Sequence, residues 1–174
     1  PPASAHSGSQ TYLYLDVTPR TLGGRLEIPY GDLAATLGLE FGSSDEEVLA
    51  GLAANKAAID AYLDQHVVIG DGVVTWPIAF DEATLFYSDL AEQDDNYTVV
   101  EFTVDTGDVE IPRQLEITFD PFFDEIPGRD ALLLIGNDWG GGVIENGTEV
   151  LTAFSAESRS QTIDLGDSSA WNTF

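Results

Sequence analysis

Residues 43–66 carry the longest helical pattern in the chain. Ser44 followed by Glu47 forms a capping box, which marks the helix start. His66 comes last, where a protonated imidazole would face the negative end of the helix dipole. Apolar residues recur at three- and four-residue steps and would form one stripe: Val48, Leu49, Leu52, Ile59, Tyr62 and Leu63. We therefore predict a helix over 44–65 that covers a β-structure.

A second, shorter helix is predicted over 31–38, just ahead of the long one. Leu33 and Leu37 lie one helical turn apart, and Gly38 can end the helix in a left-handed conformation. The two helices follow the second predicted strand and precede the third. The pattern thus predicts a helical pair inserted into a chain of strands.

The other periodic segments alternate apolar and polar residues, which is typical of half-buried strands. Residues 11–17 and 25–29 predict a first hairpin. Gly70-Asp71-Gly72 lies between two valine-rich runs and predicts a second, because glycine tolerates the positive φ of a tight turn. Further strands are predicted in 83–90, 97–104, 115–119, 131–135, 148–154 and 160–165.

Two features refine this picture of the strands. Residues 131–135 are entirely apolar, which suits a central strand covered on both faces. Asn146-Gly147 lies between two strand-like segments and is the strongest hairpin signal in the chain. About ten short strands punctuated by turn residues are typical of an antiparallel sandwich. The sequence therefore predicts a mainly β fold, a single β-sandwich-like domain over 11–166 with an inserted helical pair.

Composition limits the possible partners. The chain has 174 residues, 43% of them hydrophobic, which is enough for one domain with a buried core. Its 31 acidic and 6 basic side chains give a formal net charge of −25, which repels phosphate backbones and argues against nucleic acid. The acidity either gathers cations or adapts the protein to saline surroundings. The absence of cysteine excludes disulfides and cysteine metal sites.

Three sets of residues are candidate metal ligands. Ala3-Ser4-Ala5 has the form of a signal-peptidase site, so residues 1–10 are interpreted as a flexible tail left by a signal peptide. The new terminal amine and imidazole of His6, joined by His66, would chelate nickel or copper. Calcium would instead prefer a loop of carboxylates, and one such loop contains Asp120, Asp124 and Glu125. A second acidic loop contains Glu92, Asp94 and Asp95.

Catalytic motifs are weak in this sequence. His66 is the histidine available to a Ser-His-Asp triad, and no serine lies in a GxSxG motif. Asp120 and Asp124 lie beside aromatic residues, a combination that can hydrolyse or bind sugars. Aromatic residues that could stack on a carbohydrate are Tyr12, Tyr14, Trp76 and Trp139. We predict a binding domain without enzymatic activity; the alternative is a secreted carbohydrate-binding or adhesion module.

Three segments resemble the extracytoplasmic N-terminal region of HupE/UreJ-type bacterial membrane proteins. They are AHSGSQTYLYLDV at 5–17, GRLEIPYGDLAATLGL at 24–39 and QTIDLGDSSAWNTF at 161–174. The resemblance implies an exported β-rich domain that continues into membrane helices of a protein associated with uptake of nickel or related metals. Residues 167–174 would then begin a linker, with Trp171 and Phe174 at the membrane interface.

From the resemblance we expect an extracytoplasmic location, in the periplasm or at the cell surface, with attachment to the membrane in the full-length protein. The expected partners are the chain's own C-terminal membrane helices and a protein or a metal ion.

Overall fold

The computed structural model describes residues 10–86, 97–138 and 150–166. Within these ranges the chain is mainly β, with two sheets and three helices, which confirms the predicted β-sandwich-like fold with a minor helical part. The elements in chain order are β1 (Thr11–Val17), β2 (Leu22–Pro29), α1 (Tyr30–Leu37), α2 (Asp45–Ala54), α3 (Lys56–His66), β3 (Val67–Gly70), β4 (Ile78–Phe80), β5 (Thr84–Phe86), β6 (Tyr97–Val104), β7 (Gln114–Phe119), β8 (Ala131–Asp138), β9 (Val150–Phe154) and β10 (Ser160–Asp164).

The larger sheet has seven strands. Six follow the order β4-β6-β2-β1-β8-β9, and β5 also pairs with β6. The described pairs in this sheet are antiparallel except β1 and β8, which run parallel. The parallel pair distinguishes this sheet from that of a purely antiparallel sandwich. The chain between β1 and β8 includes the helices and strands of the second sheet, and a connection of that length permits parallel pairing.

The prediction of a central strand over 131–135 is confirmed, because β8 lies between β1 and β9. The antiparallel pairing of β8 with β9 is what an Asn146-Gly147 hairpin requires, although the turn itself lies outside the described residues. The predicted first hairpin is also confirmed by the pairing of β1 with β2.

The smaller sheet has three antiparallel strands in the order β10-β7-β3. Alternate residues of both sheets are buried and join one hydrophobic core with the helices. Members from the two sheets include Leu13, Leu15, Leu26, Ile28, Leu115, Ile117 and Phe119, and members from α2 and α3 include Val48, Leu52, Ile59 and Leu63. The helices therefore cover the core, as the apolar stripe predicted. Leu49 is the exception, with 38% of its surface exposed.

The single long helix predicted over 44–65 is corrected to two helices that meet at Asn55. Its start is as predicted: Ser44 Oγ accepts from Glu47 N at 3.2 Å, and Glu47 Oε2 accepts from Ser44 N at 3.0 Å. Asn55 leaves the helical conformation (φ −107°, ψ 13°), and its Nδ2 donates to Gly51 O at 2.8 Å. Asparagine side chains compete in this way for backbone partners, which ends the first helix.

The shorter helix forms close to the predicted position, with Gly38 beyond its end at φ 65°. The turn at Gly70-Asp71-Gly72 also forms: Gly72 has φ 89°, and Asp71 Oδ1 accepts from the N–H groups of Val73 and Val74, both at 2.8 Å. The segment that follows this turn pairs with β3 over a short distance: Thr75 forms an isolated antiparallel bridge with Gly70. No helix in the described part of the chain has the length and apolar character needed to cross a membrane.

Candidate functional site

Four of the residues predicted as candidate ligands, His66, Asp120, Asp124 and Glu125, lie near one end of the smaller sheet. His66 ends α3 immediately before β3, Asp120 follows β7, and Arg159 precedes β10. Because β7 pairs with both neighbours, these three positions must lie side by side. The backbone confirms it: Asp120 N donates to His66 O at 3.1 Å, and Phe119 N donates to Arg159 O at 2.9 Å. We call His66, Asp120, Asp124, Arg159 and Tyr62 the His66 cluster.

Asp120 is the central carboxylate of the His66 cluster. Its Oδ1 lies 2.9 Å from His66 Nδ1, and its Oδ2 accepts from Arg159 Nη1 at 3.1 Å. Its side chain is only 15% exposed, so both carboxylate oxygens are engaged in a largely buried position. The aspartate therefore links the end of α3 to the start of β10.

Arg159 also holds Asp124 at the rim of the cluster. Its Nη1 and Nη2 donate to the two oxygens of Asp124 at 3.0 and 2.7 Å, a two-point contact that fits the planar guanidinium. The hydrogen bonds from Arg159 hold the pKa of Asp124 below its usual range. The bonds to Asp124 and Asp120 in turn raise the pKa of Arg159. Arg159 thus stays charged, and its single positive charge is shared between the two carboxylates.

Tyr62 packs beneath this ion pair. Its ring lies 4.3 Å from the His66 ring and 5.5 Å from the Phe122 ring, measured between centroids. Its hydroxyl accepts from Phe122 N at 2.8 Å and donates to Glu125 Oε2 at 3.4 Å. Burial is the main cause that raises the pKa of Tyr62. The tyrosine therefore serves as a neutral hydrogen-bonding group that holds the loop after β7.

The carboxylates predicted to bind calcium already have partners within the chain. Asp120 and Asp124 share one guanidinium, and Glu125 contacts a tyrosine hydroxyl. Arg159 supplies the positive charge that calcium would bring, so an ion would have to displace it. Within residues 10–86, 97–138 and 150–166, no group of three or more His, Cys, Asp or Glu side chains is placed to hold a metal. The metal assignments stay predictions.

Other predicted residues lie elsewhere. Tyr12 and Tyr14 are half-buried on the outer face of the larger sheet; Tyr12 is tilted by 47° against Tyr97, and the Arg25 guanidinium lies 4.0 Å above the Tyr14 ring. Trp76 packs partly against the core. Trp139, His6 and the acidic residues at 92–95 lie outside the described residues. The tyrosines therefore do not form one flat stacking surface.

The sequence pattern did not predict that Arg159 contacts Asp120 and Asp124. It placed Tyr62 in the apolar stripe but did not predict that the Tyr62 hydroxyl accepts a hydrogen bond from Phe122 N. Arg159 is one of 6 basic residues in the chain, and its position just before a predicted strand is a usable signal. The pairing of β7 with β3 and β10 could not be predicted from periodicity, since alternation shows which face a residue occupies and not which strand lies beside it.

No protein-family model matches this chain, and no curated protein matches it. Its function is therefore inferred from geometry, charge and the sequence patterns above.

Proposed function

We propose that this chain is a non-enzymatic extracytoplasmic domain of a HupE/UreJ-type membrane protein. It binds a basic protein partner, or gathers cations, for a metal-uptake protein in the membrane. The three similar segments and the aromatic residues at 171 and 174 motivate the membrane assignment.

The observation that carries the binding proposal is that most of the few basic side chains already form ion pairs within the described residues. Five of them form ion pairs with carboxylates in the described residues: Arg25, Lys56, Arg113, Arg129 and Arg159. The sixth, Arg20, is exposed in the β1–β2 turn. With 31 acidic and 6 basic residues in the chain, the carboxylates far outnumber the cationic side chains that could pair with them.

Such a surface attracts positive charge over a long range and favours cationic partners in the encounter. Metal ions are the smallest partners of this kind; nickel or copper would use nitrogen atoms of His6 and His66, as predicted above. Calcium at Asp120, Asp124 and Glu125 would compete with Arg159. A partner that brings its own lysine and arginine groups avoids that competition, and it is the ligand class we favour.

The test of this proposal is the location of the natural full-length protein. Cells that express the gene with a C-terminal tag are fractionated, and intact spheroplasts are then treated with an external protease. We expect the protein in the membrane fraction and the domain cut by protease outside the cell membrane. A protein that stays in the soluble cytoplasmic fraction, protected from the protease, contradicts the proposal.

A further inference from the structure

A groove lies between α3 and β4, the strand at one edge of the larger sheet. Its volume is about 420 Å³, within the range of ligand sites in proteins. Three residues of each element line it: Asp60, Ala61 and Asp64 of α3, and Ile78, Ala79 and Phe80 of β4. The groove is therefore bounded by a helix on one side and by the edge of a sheet on the other. We call it the β4–α3 groove.

The hydrogen bonds that flank β4 show which way its backbone points. Asp105 N donates to Pro77 O at 2.8 Å, just before the strand. Asp81 N donates to Glu101 O at 2.8 Å, just after the strand. In an antiparallel pair, every second residue directs its N–H and C=O to the neighbouring strand. Ala79, the middle residue of β4, therefore faces β6, and the residues on either side of it face away.

Those two residues present backbone groups along the sheet edge. Phe80 O accepts from Lys56 Nζ at 2.8 Å, which confirms that this residue faces away from β6. The N–H of Phe80 and both backbone groups of Ile78 make no hydrogen bond to any described residue. Backbone groups at the edge of a sheet are the groups with which an added strand pairs. The edge thus offers two donors and one acceptor in a row.

The helix side of the groove is acidic. Asp64 is exposed and, within the described ranges, makes no hydrogen bond or ion pair. Asp60 lies one helical turn earlier, and its Oδ2 accepts from Lys56 Nζ at 2.6 Å. Lys56 therefore balances Asp60, and Asp64 carries the charge that remains. The net charge of −25 on the whole chain attracts cationic ligands in the same sense.

The two sides of the groove together select one class of ligand. A metal ion or a small amine would use the carboxylates but not the N–H groups of the strand edge. An extended polypeptide uses both sides, because its backbone pairs with β4 while every second side chain faces α3. Basic side chains at those positions would meet Asp64. We propose that the β4–α3 groove binds an extended basic segment of a partner protein as an added strand beside β4.

This inference rests on the proposed binding of a basic protein partner and names the surface that receives it. The titration that tests it uses the isolated chain, so its result does not depend on where the natural protein is located. A failed titration, with the natural protein in the membrane fraction, overturns the groove and leaves the membrane assignment standing. A chain that binds the peptide, with the natural protein in the cytoplasm, supports the groove and overturns the membrane assignment.

The probe is a short peptide with blocked ends in which lysine and valine alternate. It is added to ¹⁵N-labelled protein, and the backbone amides are followed in ¹H–¹⁵N correlation spectra. We expect dose-dependent shifts at Asp64, Ile78 and Phe80 with a dissociation constant of about 0.1 mM.

Amide hydrogen exchange distinguishes strand pairing from attraction by charge alone. At about 1 mM free peptide, the exchange of the Ile78 and Phe80 amides should slow about tenfold, because their N–H groups become hydrogen-bonded in the complex. The Ala79 amide faces β6 with or without the peptide, so it is the internal control and its exchange should change little.

A modified peptide and two variants complete the test. The same peptide with N-methylated backbone amides keeps its lysines but cannot donate to β4, and we expect it to bind at least about tenfold more weakly. Asp64→Asn should weaken binding of the unmodified peptide about threefold, as expected for one exposed ion pair. Glu46→Gln removes an exposed charge from the first turn of α2, so it is the matched control and should leave binding unchanged. Circular dichroism checks that both variants fold.

Three results overturn the proposal. The first is the absence of shifts in β4 with the lysine–valine peptide at about 1 mM, well above the dissociation constant expected here. The second is equal binding of the N-methylated peptide, or of a peptide with glutamate in place of lysine. The third is a titration that Asp64→Asn and Glu46→Gln weaken equally or leave equally unchanged.

Discussion

Phe122 has a backbone conformation that aromatic residues rarely adopt. Its φ is 70°, in the left-handed region, while its side chain is completely buried. Such conformations cost about 1–3 kcal/mol and persist where surrounding contacts outweigh the strain. Here the contacts are the Tyr62 ring and its hydroxyl, which accepts from Phe122 N. At the scale of single residues, Tyr62 therefore holds the loop that presents Asp120 and Asp124.

The variant Tyr62→Phe tests this role. The ring contacts are kept, but the buried N–H of Phe122 loses its acceptor, so we expect the free energy of unfolding to fall by about 1–2 kcal/mol in urea denaturation. Glu125→Gln is the control, because it alters only the longer, 3.4 Å contact of the same hydroxyl. Equal losses in the two variants would show that the bond to Phe122 is not the important one.

At the scale of elements, the start of α2 and the break between α2 and α3 both depend on local hydrogen bonds. The capping box at Ser44 starts α2 where the sequence places it, since both of its bonds are made within four residues. The break at Asn55 is also local in its chemistry, because the side chain bonds to Gly51 O. Periodicity did not reveal it, because the apolar stripe continues across the break into α3.

Ser44→Ala removes the cap of α2 and is expected to lower the free energy of unfolding by about 1 kcal/mol. The neighbouring variant Ser43→Ala is the matched control, because the Ser43 side chain makes no hydrogen bond in the described structure. Thermal denaturation of both variants at one pH measures the difference. If Ser43→Ala is as unstable as Ser44→Ala, the cap is not the cause.

At the scale of the whole molecule, charge is the dominant feature. A net charge of −25 on one domain repels itself, and this repulsion opposes the compact state. Five basic side chains form local ion pairs, so they reduce this repulsion only near those pairs. Salt screens the remaining repulsion, with a Debye length that falls from about 10 Å at 0.1 M to about 3 Å at 1 M.

We therefore expect the melting temperature to rise by at least about 3 °C between 0.1 M and 1 M KCl, which corresponds to roughly 1 kcal/mol for a chain of this length. A variant with fewer exposed carboxylates is the control and should gain less from salt. Suitable exposed positions for Glu→Gln changes are Glu40, Glu46, Glu82 and Glu157. A melting temperature that stays constant or falls in salt contradicts the expectation.

The sequence by itself determined the fold class, most of the strands, the helix start at Ser44 and the acidic character, because these depend on periods of two and 3.6 residues, on local hydrogen bonds and on composition. Only the tertiary structure decided that β8 runs parallel to β1 and that β7 lies between β3 and β10. Those pairings bring His66, Asp120 and Arg159 together. Contacts between segments distant in the chain depend on which strands become neighbours, and alternation within one strand carries no record of that choice.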